Sequence, residues 1–277
     1  MSRNRQSSLR LPSPANVLVG ASIVIVAFLL LTPVVMIVWS AFIDSVFISF
    51  PPRGYTLKWF DAAIRYPSFI NGFVVSLQVA AITATLGVIL GAAASLVLVR
   101  GSFPGRGTMN TLLLSPLMVP NIVLGTALYM FFIGVSDRLG IDVSGGIPSL
   151  VCAHLLLTLP WCVRLISANL IGGDRSIEEA AANLGANPWV VFYRVTLPQM
   201  RSGVIAAALF SFIISFENLE LSLFLVGPGQ TTLPIAIMQY LEFNMDPTIA
   251  AISTVQILVI AGLLVITDRF VKLSRIV

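Results

Sequence analysis

Charge is what this sequence has least of: 10% of its 277 residues are Asp, Glu, Lys or Arg, where soluble domains carry about 25%. A soluble fold of this length needs far more charge to wet its surface, so that class is excluded. Histidine occurs once, at His154, and cysteine twice, at Cys152 and Cys162, all in one apolar stretch. A membrane-embedded enzyme calls for a cluster of His, Asp or Cys near one face, and a lone histidine does not supply it. Neither the spacing of the cysteines nor their neighbours suggest a disulfide or a metal site, so they read as small packing residues. Also missing is any G-x-x-x-x-G-K-[ST] run, the glycine-rich loop whose amides cradle phosphates; the chain does not hold ATP itself.

What is abundant is apolar. Hydrophobic residues make up 57% of the chain and the mean hydropathy is +0.96. The few charges are clumped: none falls between Leu11 and Ile43, between Tyr66 and Val99, or between Gly107 and Ser136. A hydrocarbon core about 30 Å thick needs roughly 20 apolar residues as helix. The pattern predicts an all-α polytopic membrane protein with six spans, at about 16–42, 69–98, 109–134, 148–170, 200–226 and 248–268. The first apolar run is too long for a cleaved signal peptide and is expected to stay as an anchor behind a short tail, 1–15.

Basic residues set the orientation. With the N-terminus cytoplasmic, the inner side carries Arg3, Arg5, Arg10, Arg100, Arg106, Arg175, Arg194, Arg201, Arg269, Lys272 and Arg275, and the outer side only Arg53, Lys58, Arg65 and Arg138. Arg164, near the inner end of the fourth span, is expected to snorkel. Both termini are therefore cytoplasmic, including the tail 271–277. This arrangement accounts for the pI of about 9.4 without nucleic acid as a partner. The first outer loop, about 43–68, holds Phe50-Pro51-Pro52 and the amphipathic piece Leu57-Lys58-Trp59-Phe60, which suits a short surface helix at the outer interface.

The orientation makes 171–199 the longest inner loop, and it contains EEAAANLGANPWVVFYRVTLP. Ser176 followed by Glu179 has the form of a capping box, and Asp174, Glu178 and Glu179 place negative charge at the positive end of a helix dipole. Ala180, Ala181 and Ala182 favour helix and add little bulk. Gly185 supplies a left-handed stop, Asn187 and Pro188 a cap and first position for a second short helix, and Leu197-Pro198 a restart into the fifth span. The expected product is two short helices across the cytoplasmic face, a knob shaped either to dock a soluble partner or simply to connect two spans.

The spacing Glu179-Ala180-Ala181, three residues, Gly185, nine residues, Val195, one residue, Leu197-Pro198 resembles the EAA loop of bacterial ABC importer permeases; Val195 stands where isoleucine is common. The resemblance implies the type I ABC importer permease fold in a bacterial inner membrane. In that family the loop forms a coupling helix seated in a cleft of a cytoplasmic ATPase subunit, which places Glu178, Glu179, Ala180, Ala181, Gly185, Pro188, Leu197 and Pro198 at the coupling contact. It also implies a dimer of ATPase subunits, a second permease, expected to be a homologous but different chain, and an extracytoplasmic solute-binding protein. ATP and Mg would bind the partner ATPase, with no cofactor on this chain and no chemistry performed by it.

Charge inside a span is costly, so intramembrane acids usually line a path or pair. The fifth span holds Glu217-Asn218 and Glu220 toward its outer end; spaced i and i+3, the two acids would share one helix face. They read either as an acidic lining for cationic solutes or as structural groups bonded to a partner or exposed at the outer interface. From Ser215-Phe216-Glu217 through Gly227-Pro228-Gly229 and Thr231-Thr232-Leu233-Pro234, the chain is similar to the spermidine/putrescine branch of these permeases. That similarity implies a small cationic organic solute, a polyamine first, with opines or amino-acid derivatives as the alternative. Polyamine permeases often carry aspartates where this chain has Glu217-Asn218. An ion-coupled secondary transporter would instead show inverted repeats, and none is evident. His154 reads as a hydrogen-bonded packing residue ahead of a proton relay, and Pro33, Pro116, Pro120 and Pro160 as kinks. Gly87, Gly91 and Ala92 to Ala94 give the second span a small face for close packing.

Overall fold

A computed structural model describes residues 14–46 and 51–271. The tail residues Arg3, Arg5, Arg10, Lys272 and Arg275, and Phe50 of the outer loop, lie outside the described residues. Twelve α-helices follow one another among those described. Six helical stretches are long and apolar enough to cross a bilayer: Leu18–Ser40, Pro67–Arg100, Asn121–Leu139, Ile147–Gly172, Pro188–Phe216 and Thr248–Arg269.

Helix α1 (Pro14–Ser40) is apolar all round and buries none of its apolar window within the chain. Its Ser22 and Thr32 hydroxyls donate to the carbonyls of Leu18 and Phe28, which removes their polarity from a lipid-facing surface. Beyond it the outer loop folds back on itself, with Trp59 donating its indole N–H to the Ile43 carbonyl at 2.8 Å and Lys58 pairing with Asp44. These contacts hold α2 (Lys58–Arg65) as the short surface helix that its amphipathic sequence suggests.

Helix α3 (Pro67–Arg100) is the longest element, with 34 residues. At 1.5 Å per residue it is about 51 Å long, well beyond a hydrocarbon core of about 30 Å. Its buried stripe runs through Gly72, Ser76, Thr83, Gly87, Gly91 and Ser95, and this row of small residues brings neighbouring backbones close. A Cβ on Gly91 would meet the Cys162 Cβ at 2.7 Å, and one on Gly72 would meet the Thr232 and Leu233 backbone at 3.0 Å. The neighbours are α6 (Ile147–Gly172), whose apolar window is 61% buried, and α9 (Leu197–Phe216). Together α3, α6 and α9 form the core. Cys162 is buried there as a free thiol, while Cys152 is free and exposed.

Two expected spans are placed differently. The stretch 109–134 is not one helix but α4 (Arg106–Leu114), a 3-10 turn (Ser115–Met118) and α5 (Asn121–Leu139). Proline is the reason: its ring drives the preceding residue out of the helical region, and Val119, before Pro120, is extended at φ −93° and ψ 130°. The crossing helix is therefore displaced toward 139. The stretch 200–226 likewise shifts. Pro198 does not restart the chain, because α8 (Pro188–Val191), a π-helical turn (Phe192–Thr196) and α9 run on without a gap. The wide turn, closed by the Leu197 N–H on the Phe192 carbonyl, makes room for a proline ring that would clash in a regular helix. At its outer end the same stretch breaks after Phe216, and α10 (Glu220–Leu225) begins anew.

A helix that the sequence reading did not separate, α11 (Leu233–Phe243), lies between this break and α12 (Thr248–Val271). It packs Leu233, Ala236 and Tyr240 against Phe69 and Phe216 in an outer cluster. The Leu233 N–H, left over at a helix start, donates to the Ser76 hydroxyl of α3 at 2.9 Å.

Candidate functional site

Two places carry polar groups with shape. The first is the cytoplasmic loop. There α7 (Arg175–Asn183) is capped by Asp174, whose carboxylate accepts the Ser176 N–H at 2.9 Å. The expected capping box built on Ser176 and Glu179 does not form. With Asp174 as the cap, Ser176 already lies inside the helix and the box position falls on Ile177. An aspartate caps at least as well as serine and adds charge favourable to the dipole. The Ser176 hydroxyl first, and then the Ser176 N–H, hold the Asp174 carboxyl below its ordinary range.

The helix stops as the glycine predicts. Gly185 sits at φ +85°, its N–H donates to the Ala182 carbonyl, and the Ala186 N–H reaches back to that of Ala181. This pair of bonds is a Schellman motif, and it requires the left-handed conformation that glycine adopts without strain. Asn187 then caps α8, accepting the Val190 N–H at 3.0 Å, with Pro188 in the first turn.

The motif's carboxylates part company. Glu179 faces outward, bonded one turn back to Arg175 at 3.1 Å. Glu178 turns inward and pairs with Arg100, the last residue of α3, at 2.9 Å. Ala180, Gly185, Pro188 and Pro198 are exposed, and Ala181 and Leu197 half-buried. Around them lies an apolar surface that the sequence reading missed: Leu184 is 90% exposed, Trp189 69% and Tyr193 61%. Trp189 and Tyr193 stack with ring centroids 6.4 Å apart. Their i, i+4 spacing on a cytoplasmic loop was the available signal. A patch of this kind outside the bilayer marks an interaction surface.

The second place is the break between α9 and α10. Glu217 follows the last residue of α9 and Glu220 opens α10, both exposed. Expected to share a helix face, they do not: Glu217 lies in the non-helical stretch 217–219 and Glu220 in α10. Among the described residues neither carboxylate has an ion-pair partner. Asn218 turns its amide oxygen onto the Leu221 N–H at 2.9 Å, capping α10, so its side chain holds the break in shape.

Behind the break sits His154, 1% exposed. Its Nδ1 lies 2.8 Å from the Ser215 hydroxyl of α9 and its Nε2 3.2 Å from the Ser222 hydroxyl of α10. Ser222 donates its own proton to the Asn218 carbonyl at 2.7 Å. It must therefore accept from Nε2–H, leaving Nδ1 to accept from Ser215. A neutral histidine satisfies every atom of this network and bridges both sides of the break, the packing role expected of it. Arg164 is exposed, as snorkelling requires. No group of three or more potential metal ligands occurs among the described residues.

A long core helix, a cytoplasmic knob and an outer break are set in a helical membrane protein with six candidate spans among the described residues. Residues 83–275 match the family model of the binding-protein-dependent transport system inner membrane component. The putrescine transport system permease protein PotI of Escherichia coli is 32% identical over 226 residues, covering 81% of this chain and 80% of that protein. The spermidine/putrescine transport system permease protein PotC of Escherichia coli is 27% identical over 243 residues, 88% of this chain and 89% of that protein. In fold, the chain resembles the crystal structure of a bacterial ABC transporter that imports the acidic polysaccharide alginate, with TM-score 0.73, 14% identity, and coverage of 94% of this chain and 99% of that one. The chain belongs to the binding-protein-dependent transport system inner membrane component family. It is a permease subunit of an ABC importer of the bacterial inner membrane, a transport component and not an enzyme.

Proposed function

We propose that this permease carries a polyamine, putrescine or spermidine, inward by alternating access, paired with a second, non-identical permease over a dimer of ATPase subunits that bind ATP and Mg. The observation that carries the solute class is the pair of exposed carboxylates, Glu217 and Glu220, without an ion-pair partner among the described residues at the α9–α10 break. Dications are drawn to uncompensated negative charge near a low-dielectric wall. The relatedness to PotI and PotC supports the same class.

In this reading the knob formed by Glu179, Ala180, Ala181, Gly185 and Pro188, with the apolar surface of Leu184, Trp189 and Tyr193, seats in the ATPase subunit. Leu197 and Pro198 carry its motion into α9. A loaded binding protein docks outside. ATP binding closes the ATPase dimer, draws the two knobs together and opens the path outward, and hydrolysis resets it, a rigid-body switch. The test is uptake of labelled putrescine into proteoliposomes holding the full transporter, its binding protein outside and ATP inside. Uptake that needs ATP, ignores a protonophore and falls at least about tenfold in Glu217→Gln supports the proposal. Uptake that survives without ATP, or is indifferent to Glu217, defeats it.

A further inference from the structure

We propose that Arg100 and Glu178 form a strut that passes the motion of the knob directly to α3, in parallel with the covalent route through α8 and α9. The inference rests on the coupling reading given above and specifies how the force enters the membrane helices.

Helix α7 is loosely held without this pair. It buries no residue. At one end it follows Gly172-Gly173, and at the other it stops at Gly185. Between it and the cytoplasmic ends of the membrane helices lies a cleft of about 280 Å³, lined by Leu96, Ala182, Pro188 and Phe192 as well as by the pair itself. Across that gap α7 has little apolar packing through which to push. A further polar link at this end of the knob, from the Gln199 amide to the Asp174 carbonyl, is long at 3.5 Å. The Arg100–Glu178 bond spans the cleft at 2.9 Å, with its side chains only 19% and 14% exposed.

The placement suits a strut in three ways. Arg100 is the last residue of α3 and Glu178 lies in the first turn of α7. The cation therefore caps the negative end of one helix dipole and the anion the positive end of the other, so dipoles and charges reinforce each other. Partial burial lowers the local dielectric and protects the pair from salt screening. Helix α3 overshoots the bilayer to reach α7 and is packed along its length against α6 and α9, so displacement of its inner end tilts the core. The grip is single: Nη2 holds Glu178 while the buried Nε has no partner. A guanidinium with a spare donor can follow a carboxylate through a rotation without releasing it, as a pivot between moving helices requires.

The experiment is a charge exchange in the complete transporter, read as putrescine taken up per ATP hydrolysed. Arg100→Glu and Glu178→Arg should each keep the ATPase subunit bound through purification while uptake per ATP falls about tenfold. The double exchange should recover to within about threefold, short of full because both dipoles then oppose the charges. Arg100→Lys, which keeps the charge, should stay within about threefold of the unaltered chain. A double exchange no better than either single variant overturns the strut. So does loss of the ATPase subunit in Glu178→Arg but not in Arg100→Glu; Glu178 would then face the ATPase, and the coupling reading would stand. Failure of the unaltered chain to hold an ATPase subunit defeats the coupling reading alone. The strut is then read from trypsin cleavage after the exposed Arg175 in inside-out vesicles. Cleavage should quicken at least about fivefold in Arg100→Gln and Glu178→Gln, and an unchanged rate overturns the proposal.

Discussion

His154 shows how much one side chain can organise in a membrane. An imidazole offers one donor and one acceptor when neutral, and here both are used, on Ser215 and Ser222, so that α9 and α10 stay in register across a gap in the helix. Replacing it with leucine leaves two buried hydroxyls without that partner, at a cost of about 1–3 kcal/mol. His154→Leu should lower the melting temperature of the detergent-purified protein by several degrees, whereas His154→Gln, which keeps a donor and an acceptor, should recover part of the loss. An unchanged melting curve for the leucine variant would show that the network is incidental. At Gly185 the constraint is conformational. A left-handed residue at φ +85° costs a non-glycine side chain about 1–2 kcal/mol, too little to unfold the protein but enough to fray the end of α7. Gly185→Asp should therefore insert and accumulate normally yet lose most ATP-driven uptake; full uptake in vesicles would contradict a coupling role for the turn.

Helix α7 is held at its start by a titratable group. Hydrogen bonds from the Ser176 hydroxyl and then from its N–H depress the Asp174 pKa relative to the unfolded chain. A depressed carboxylate pKa means that the cap stabilises α7 fully once the pH exceeds the unfolded value of about 4. The contribution is lost as pH falls through the lower folded value. Hydrogen exchange of the Ser176 amide, corrected for its intrinsic pH dependence, should stay flat above about pH 5 and accelerate only on the acid side of that window. Asp174→Asn should abolish the acid-side change. At the same scale, what sequence could reveal had a clear limit. Unbroken apolar runs made α1, α3, α6 and α12 legible, and the glycine and asparagine signals located the ends of α7 and α8. The breaks at Val119–Pro120 and at 217–219 were not legible. Proline tells that a helix is disturbed but not whether the helix runs on through it, breaks or absorbs the ring in a π turn; here Pro33 and Pro160 lie inside continuous helices, Pro120 follows a break, and Pro198 follows the π turn. Nor was the inward turn of Glu178 visible, because its partner Arg100 lies 78 residues away. The i, i+3 spacing of Glu217 and Glu220 misled for the same reason: the rule presumes a continuous helix.

The whole molecule is a lever with a tight fulcrum. Small residues on α3 let α6 and α9 approach until backbone and side chains touch, and a core so packed moves as a body rather than deforming. Cytoplasmic displacement of the knob is then expressed at the outer break about 30 Å away along α9. This arrangement predicts that adding bulk at the fulcrum jams the lever. Gly91→Leu, whose first side-chain carbon would already lie 2.7 Å from the Cys162 Cβ, should force the helices apart and lower both stability and uptake. By contrast, Gly134→Leu on α5, where a Cβ meets nothing within 4 Å, should be nearly silent. Equal losses in the two variants would contradict the packing argument. The claim on which all of this depends is that the knob seats in a separate ATPase subunit. A photocrosslinking residue at Leu184, the most exposed apolar position of the knob at 90%, tests it directly in native membranes. The account predicts an adduct with a cytoplasmic nucleotide-binding subunit whose yield changes when ATP is added; adducts only with lipid or with this same chain would contradict it.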